Sequence, residues 1–113
     1  MNIQIFGTKK CNDTKKAERF FKERGIKYQF VDMKEKGMSK GEFTSVAQAN
    51  GGPENLLDPT CKDQDTLSLI KYIAEEDRLE KILEKPHVIK TPIVRNGKQS
   101  TVGYQPDVWK KWG

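Results

Sequence analysis

Cys11 is the residue of this chain best placed to do chemistry. It lies in Gly7-Thr8-Lys9-Lys10-Cys11-Asn12-Asp13-Thr14-Lys15-Lys16, between a short apolar run and a segment with helical periodicity. A thiol at a helix N-terminus faces the free N–H groups of the first turn and the positive end of the helix dipole, and both favour thiolate over thiol. Lys9, Lys10, Lys15 and Lys16 add positive potential, whereas Asp13 opposes it. Thr14 falls three residues after Cys11, so its hydroxyl is set to donate to the sulfur across the first turn; Asn12 or Asp13 are the alternative caps of the helix. A thiol of pKa about 8.5 is only a few per cent ionised at neutral pH, and a fall of about two units makes it mostly thiolate. The competing reading is a small inert residue, since free Cys is commonly buried. Position and charge leave both readings open. The spacing is Cys11-x-x-Thr14, so a two-step disulfide exchange needs Cys61, glutathione or a partner protein as the second thiol.

The elements that position Cys11 can be read from the pattern. Ile3-Gln4-Ile5-Phe6, ending at Gly7, reads as a buried strand. Asp13 to Arg24 carries Ala17, Phe20 and Phe21 at helical spacing, with Gly25 as the stop and Ile26 as its closing hydrophobic contact. Tyr28-Gln29-Phe30-Val31 is a second strand, and strand–helix–strand makes a parallel right-handed βαβ unit. A helical block follows over about 37–86. Ser39 with Glu42 forms a capping box for a helix through Ala49. Asn50-Gly51-Gly52 ends that helix, and Pro53 starts a short turn holding Leu56 and Leu57. Asp58 to Cys61 is a loop. From Asp65 the period of Leu67, Ile70, Ile73 and Ala74 continues into Leu79, Ile82 and Leu83 after a charged break at Glu75-Glu76-Asp77, and Pro86 stops it. Ile93-Val94-Arg95, Asn96-Gly97 and Lys98 to Val102 predict a hairpin with a type I′ turn. Pro106 opens a last helix with Val108, Trp109 and Trp112, where the two Trp residues serve packing; Ser39 and Asp107 are helix-start residues. The fold class is α/β, with a mixed four-stranded sheet covered by helices.

Composition narrows the function. The 113 residues suit one small domain, 1–113, that folds alone. Two cysteines and one histidine, His87, are too few for a disulfide scaffold or a structural zinc site, so no metal is expected, and His87 reads as a surface residue. The net charge of +5 is dispersed in pairs such as Lys22-Glu23, without the basic stripe and stacking aromatics of direct nucleic-acid binding. No apolar run approaches the roughly 20 residues of a membrane span. Met1 to Phe6 runs straight into a strand without a basic-then-apolar leader, which gives an expectation of a reducing cytoplasm.

The first strand ending in Cys11-x-x-Thr14, followed by Lys15-Lys16-Ala17 and an aromatic pair, resembles the arsenate-reductase (ArsC) family of thioredoxin-like proteins. The resemblance continues through Gly25-Ile26-x-Tyr28, Leu56-Leu57, Lys90-Thr91-Pro92-Ile93-Val94 and Val102-Gly103-Tyr104, essentially the whole chain. It implies a thioredoxin-like fold in which the helical block is an insertion and Thr91-Pro92 is a cis bond facing Cys11. It implies catalytic Cys11 and Thr14, and a substrate-binding set of Lys10, Asn12, Lys90, Thr91 and Pro92. No bound cofactor is implied; glutathione is the co-substrate and glutaredoxin the protein partner. Members of the family include glutaredoxin-coupled arsenate reductases and Spx-type regulators that bind the RNA polymerase α subunit.

This chain departs from both patterns. The three arginines that hold the oxyanion in such reductases are missing from Leu57-Asp58-Pro59-Thr60-Cys61, from Lys90-Thr91-Pro92 and from Gly103-Tyr104-Gln105-Pro106. A dianion loses its bidentate partners there, and Lys90 offers a point charge instead of a fork. Spx-type regulators characteristically carry Cys-x-x-Cys, which is absent here as well. Cys61 falls beside the position of the family's first arginine, which makes it a candidate resolving thiol for Cys11. The resulting expectation is thiol oxidoreduction centred on Cys11, with a weak arsenate reductase and a non-enzymatic RNA polymerase-binding regulator as the alternatives.

Overall fold

The computed structural model of the protein describes residues 2–112. Strand β1 (Ile3–Gly7) leads into α1 (Asn12–Glu23), and β2 (Tyr28–Asp32) returns parallel to β1, with Ile3 opposite Tyr28 and Gly7 opposite Asp32. The helical block comprises α2 (Lys40–Ala49), a 3-10 turn (Pro53–Leu56), α3 (Gln64–Tyr72), α4 (Glu75–Glu84) and a second 3-10 turn (Pro86–Val88). Strands β3 (Ile93–Asn96) and β4 (Gln99–Val102) and helix α5 (Pro106–Lys110) complete the chain. The sheet order is β2-β1-β3-β4, with β3 antiparallel to both of its neighbours. This is the mixed four-stranded sheet expected from the pattern.

Strand alternation distributes the core over both sheet faces. Ile3 and Ile5 of β1 point to one side, where Ala17, Phe20 and Phe21 of α1 meet Val94 and Trp109. Phe6 and Ile93 point to the other, against Phe43, Val46, Leu56, Leu67, Ile70 and Ile82 of the helical block. A central strand apolar on both faces explains the nearly continuous apolar run that opens the chain. Trp109 donates its indole N–H to Thr101 Oγ1 at 2.8 Å, which fixes α5 to the sheet.

The local signals at two helix ends work as predicted. Gly25 (φ +68°) donates to the Lys22 carbonyl at 3.0 Å and Ile26 donates to Phe21 at 2.9 Å, a complete Schellman motif. Ser39 Oγ accepts from the Glu42 N–H at 3.1 Å while Glu42 Oε1 accepts from the Ser39 N–H at 2.9 Å.

Two expectations are corrected. Glu75, Glu76 and Asp77 do not interrupt a helix; they form the first turn of α4, where the positive end of the helix dipole favours carboxylates. The break lies earlier, at Ile73 (ψ 164°) and Ala74 (ψ 146°), both extended. In the hairpin, Asn96 pairs with Gln99, so the turn is Gly97-Lys98 and not Asn96-Gly97. Gly97 has φ +62° and, among the described residues, no non-glycine residue has positive φ, which fits a type II′ turn and excludes type I′.

Candidate active site

Cys11 sits where β1 hands over to α1. Its N–H closes a turn on the Thr8 carbonyl at 3.1 Å, and its own carbonyl accepts from Lys15 at 3.2 Å, the first bond of the helix. Cys11 (φ −77°, ψ 119°) is therefore itself the N-cap residue, in place of Asn12 or Asp13. The tight turn from Thr8 leaves no extended residue later than Cys11, so Asn12 and Asp13 are already helical.

The partly buried thiol makes no capping hydrogen bond; its Sγ–H points to the Thr91 carbonyl at 3.6 Å. Burial pushes the pKa up, but the hydroxyls of Thr14 and Thr91 and the N–H groups of Thr14 and Asp13 outweigh it, and the net displacement is downward. Thr14 decides the balance. Its side chain is 0% exposed and its Oγ1 has no partner among the described residues, an arrangement that costs free energy while the sulfur is protonated. A Cys11 thiolate, a much stronger acceptor than the thiol sulfur, would offer the buried hydroxyl a partner. Gly7 leaves the space that Thr14 occupies, since a Cβ there would lie 2.4 Å from Thr14 Oγ1.

Next to the sulfur's acceptor is an open cleft of about 380 Å³, lined by Thr8, Met33, Lys34, Asp58, Pro86, His87, Ile89 and Thr91. Its floor is held by a ladder the sequence did not reveal. Leu57 bridges Ile89, Asp58 N–H donates to Val88 at 2.8 Å, and Lys90 N–H donates to Leu56 at 2.7 Å. His87, read from sequence as a surface residue, is exposed on this cleft with its Nε2 2.6 Å from Asp63 Oδ2. Asp63 also caps α3 through the Thr66 N–H at 3.1 Å and the Thr66 hydroxyl. The Thr66 hydroxyl, then His87, holds the Asp63 carboxyl down at about 2. A carboxyl depressed in the folded state stabilises the fold above its unfolded pKa, near 4, and loses that contribution as pH falls toward 2. Urea midpoints should therefore drop across pH 4 to 2, and Asp63→Asn should flatten that slope.

The remaining residues named from sequence are distributed as follows. Thr91 adjoins the sulfur, the Thr91–Pro92 bond is cis, and Pro92 is buried. Lys90 is exposed and runs along Gly103, where its Cε would lie 3.3 Å from an added Cβ. Lys10 and Asn12 are exposed beside Cys11. Cys61 is free like Cys11, packs partly buried against the core of the helical block, and donates its Sγ–H to the His87 carbonyl at 3.5 Å. The two sulfurs thus address carbonyls four residues apart on the 87–91 segment. Among the described residues no cluster of three or more His, Cys, Asp or Glu is placed to hold a metal, and no helix is long and apolar enough to cross a membrane.

Comparison with known proteins agrees with this fold. The chain is 28% identical over 109 residues to the global transcriptional regulator Spx 2 of Oceanobacillus iheyensis, covering 95% of this chain and 80% of that protein. Its fold superposes on an arsenate reductase from Vibrio cholerae with a TM-score of 0.84 at 20% identity, over 98% of this chain and 97% of the other. An ArsC family related protein from Bacteroides fragilis gives the same TM-score of 0.84 at 20% identity, over 100% and 98% of the two chains. The family model described as ArsC family matches residues 6–112, from the end of β1 through α5, with Cys11 and the Thr91–Pro92 bond inside that span. A match over nearly all of the chain, on a shared thioredoxin-like architecture, means that this protein belongs to the ArsC family.

Proposed function

We propose that the protein is a cytoplasmic thiol oxidoreductase that uses Cys11 as its nucleophile and draws reducing equivalents from glutathione or glutaredoxin. The observation that carries this reading is the buried, unpartnered Thr14 hydroxyl, which is satisfied when Cys11 is a thiolate. The Cys11 thiolate attacks one sulfur of a disulfide, forms a mixed disulfide and expels the other sulfur as a thiolate, which takes a proton from water. A glutathione or glutaredoxin thiolate then attacks the substrate's sulfur in the mixed disulfide, takes that sulfur into a new disulfide and expels Cys11 as thiolate. If Cys61 attacks instead, it bonds to the Cys11 sulfur and expels the substrate's remaining thiolate, and two external thiols then reduce the Cys11–Cys61 disulfide. The Thr91 N–H donates to no acceptor among the described residues, which suits it to hold a peptide-like reductant such as glutathione in the cleft. The three sequence neighbourhoods without arginine make arsenate a poor substrate.

The similarity to a transcriptional regulator supports a second reading, a non-enzymatic partner of the RNA polymerase α subunit. A glutathione-coupled assay with 2-hydroxyethyl disulfide separates the two. Turnover that disappears in Cys11→Ser supports the oxidoreductase, and its persistence in Cys61→Ser makes an external thiol the resolving one. No turnover, together with retention of the α subunit by wild type and Cys11→Ser alike, overturns the oxidoreductase in favour of the regulator.

A further inference from the structure

Four lysines, none with an acidic partner among the described residues, lie within five residues of Cys11 or next to Thr91 in the chain. Lys10 immediately precedes Cys11, Lys15 and Lys16 stand on the first turns of α1, and Lys90 precedes Thr91, whose carbonyl meets the sulfur. All four are exposed, and the salt bridges of the described residues involve other side chains. Tyr104 joins the rim. Lys16 Nζ lies 5.7 Å from its ring centroid, and Lys90 runs along the adjacent Gly103. Tyr104 is 41% exposed and its ring makes an edge contact with Trp109, at 5.6 Å and 78°. Lys9, by contrast, lines a separate hollow with Asp32 and Glu35 and does not belong to the rim.

These four lysines put a local excess of positive charge on the segments that carry Cys11 and Thr91, in a chain of net charge +5. Asp13 in the first turn of α1 is the nearby opposing charge. Four unpaired ammonium groups with an amphipathic aromatic raise the local concentration of an anionic partner and steer it before contact. A single aromatic with a few exposed amines, and no row of stacking aromatics along a basic groove, fits an acidic protein epitope better than a phosphodiester backbone.

We propose that the Lys10, Lys15, Lys16, Lys90 and Tyr104 rim docks an acidic segment of a partner protein and so selects disulfides flanked by Asp and Glu. The selection rests on the reading of Cys11 as the nucleophile. The chemistry is the exchange described above, with the partner's disulfide as oxidant and its released sulfur as leaving group.

The test compares three disulfides: one peptide disulfide flanked by Asp and Glu, the same disulfide flanked by Lys, and uncharged 2-hydroxyethyl disulfide. Second-order rate constants with Cys11 should favour the acidic peptide over the basic one by about tenfold or more at low salt. That ratio should collapse in about 0.5 M salt, where the screening length is about 4 Å. In Lys15→Glu/Lys16→Glu/Lys90→Glu the ratio, each rate being normalised to the uncharged disulfide, should invert. Equal rates for the two peptides at low salt overturn the docking rim and leave Cys11 a nucleophile. No reaction with any of the three overturns the nucleophile reading, and the rim falls with it.

Discussion

Replacing Thr14 with Val moves the Cys11 titration to higher pH and slows its alkylation at neutral pH by about tenfold, without unfolding the protein. A hydrogen bond to a charged group contributes about 1.5 kcal/mol or more, and about 1.4 kcal/mol is a factor of ten in an equilibrium. Valine matches threonine in shape, and the change removes a hydroxyl that is buried without a partner in the thiol form, so packing is preserved and stability at mildly acidic pH holds or rises. The linkage has a definite sign. A thiol with a depressed folded pKa adds stability above its unfolded pKa and loses it as pH falls through the folded value. Wild type should therefore gain stability as pH rises through this window, and Thr14→Val should gain less. Alkylation rate and urea midpoint against pH check both halves. An unchanged alkylation profile in Thr14→Val sinks the role given to its hydroxyl.

Gly7→Ala destabilises the fold by about 1–3 kcal/mol and disturbs the sulfur as well. The new methyl would fall 2.4 Å from Thr14 Oγ1, 2.5 Å from Cγ2 and 3.0 Å from Cβ. A β-branched side chain held in a buried first turn has no free rotamer to swing into, so the start of α1 must move. The Gly7 carbonyl also accepts from Met33 at 2.9 Å, which keeps the strand end from yielding instead. Adding Thr14→Ala to Gly7→Ala should recover most of the stability and none of the thiol acidity. That split, read by urea unfolding and alkylation on the same samples, separates steric relief from the hydrogen-bonding role. A Gly7→Ala protein as stable as wild type would show that the β1–α1 junction is looser than its contacts indicate.

What could be read from the chain alone was what depends on near neighbours. The capping box at Ser39 and Glu42, the Schellman end at Gly25, and a cysteine at a helix start are each specified within a few residues. The crossover and the hairpin followed from strand lengths and spacing. Tertiary pairings were hidden. Asp63 and His87 lie 24 residues apart and meet only because the Leu57–Ile89 bridge brings the two segments side by side. The Gly97-Lys98 turn was misplaced by one residue because Asn-Gly is the stronger local signal, while register with β3 and β4 put Asn96 in the strand. The acidic triplet of α4 reads as a break because charge interrupts an apolar period, although near a helix start it does the opposite. Gly7 gave no sign of its purpose, because that purpose is the volume of a side chain seven residues later.

The bond from the Cys11 sulfur to the Thr91 carbonyl has a consequence for how the protein rests. While the proton stays on, it takes up one lone pair of the main-chain oxygen that an incoming extended segment would use to pair with Thr91. Its departure creates the attacking anion and frees that lone pair in one event. The same ionisation thus touches both the sulfur's reactivity and the main-chain pairing capacity of Thr91.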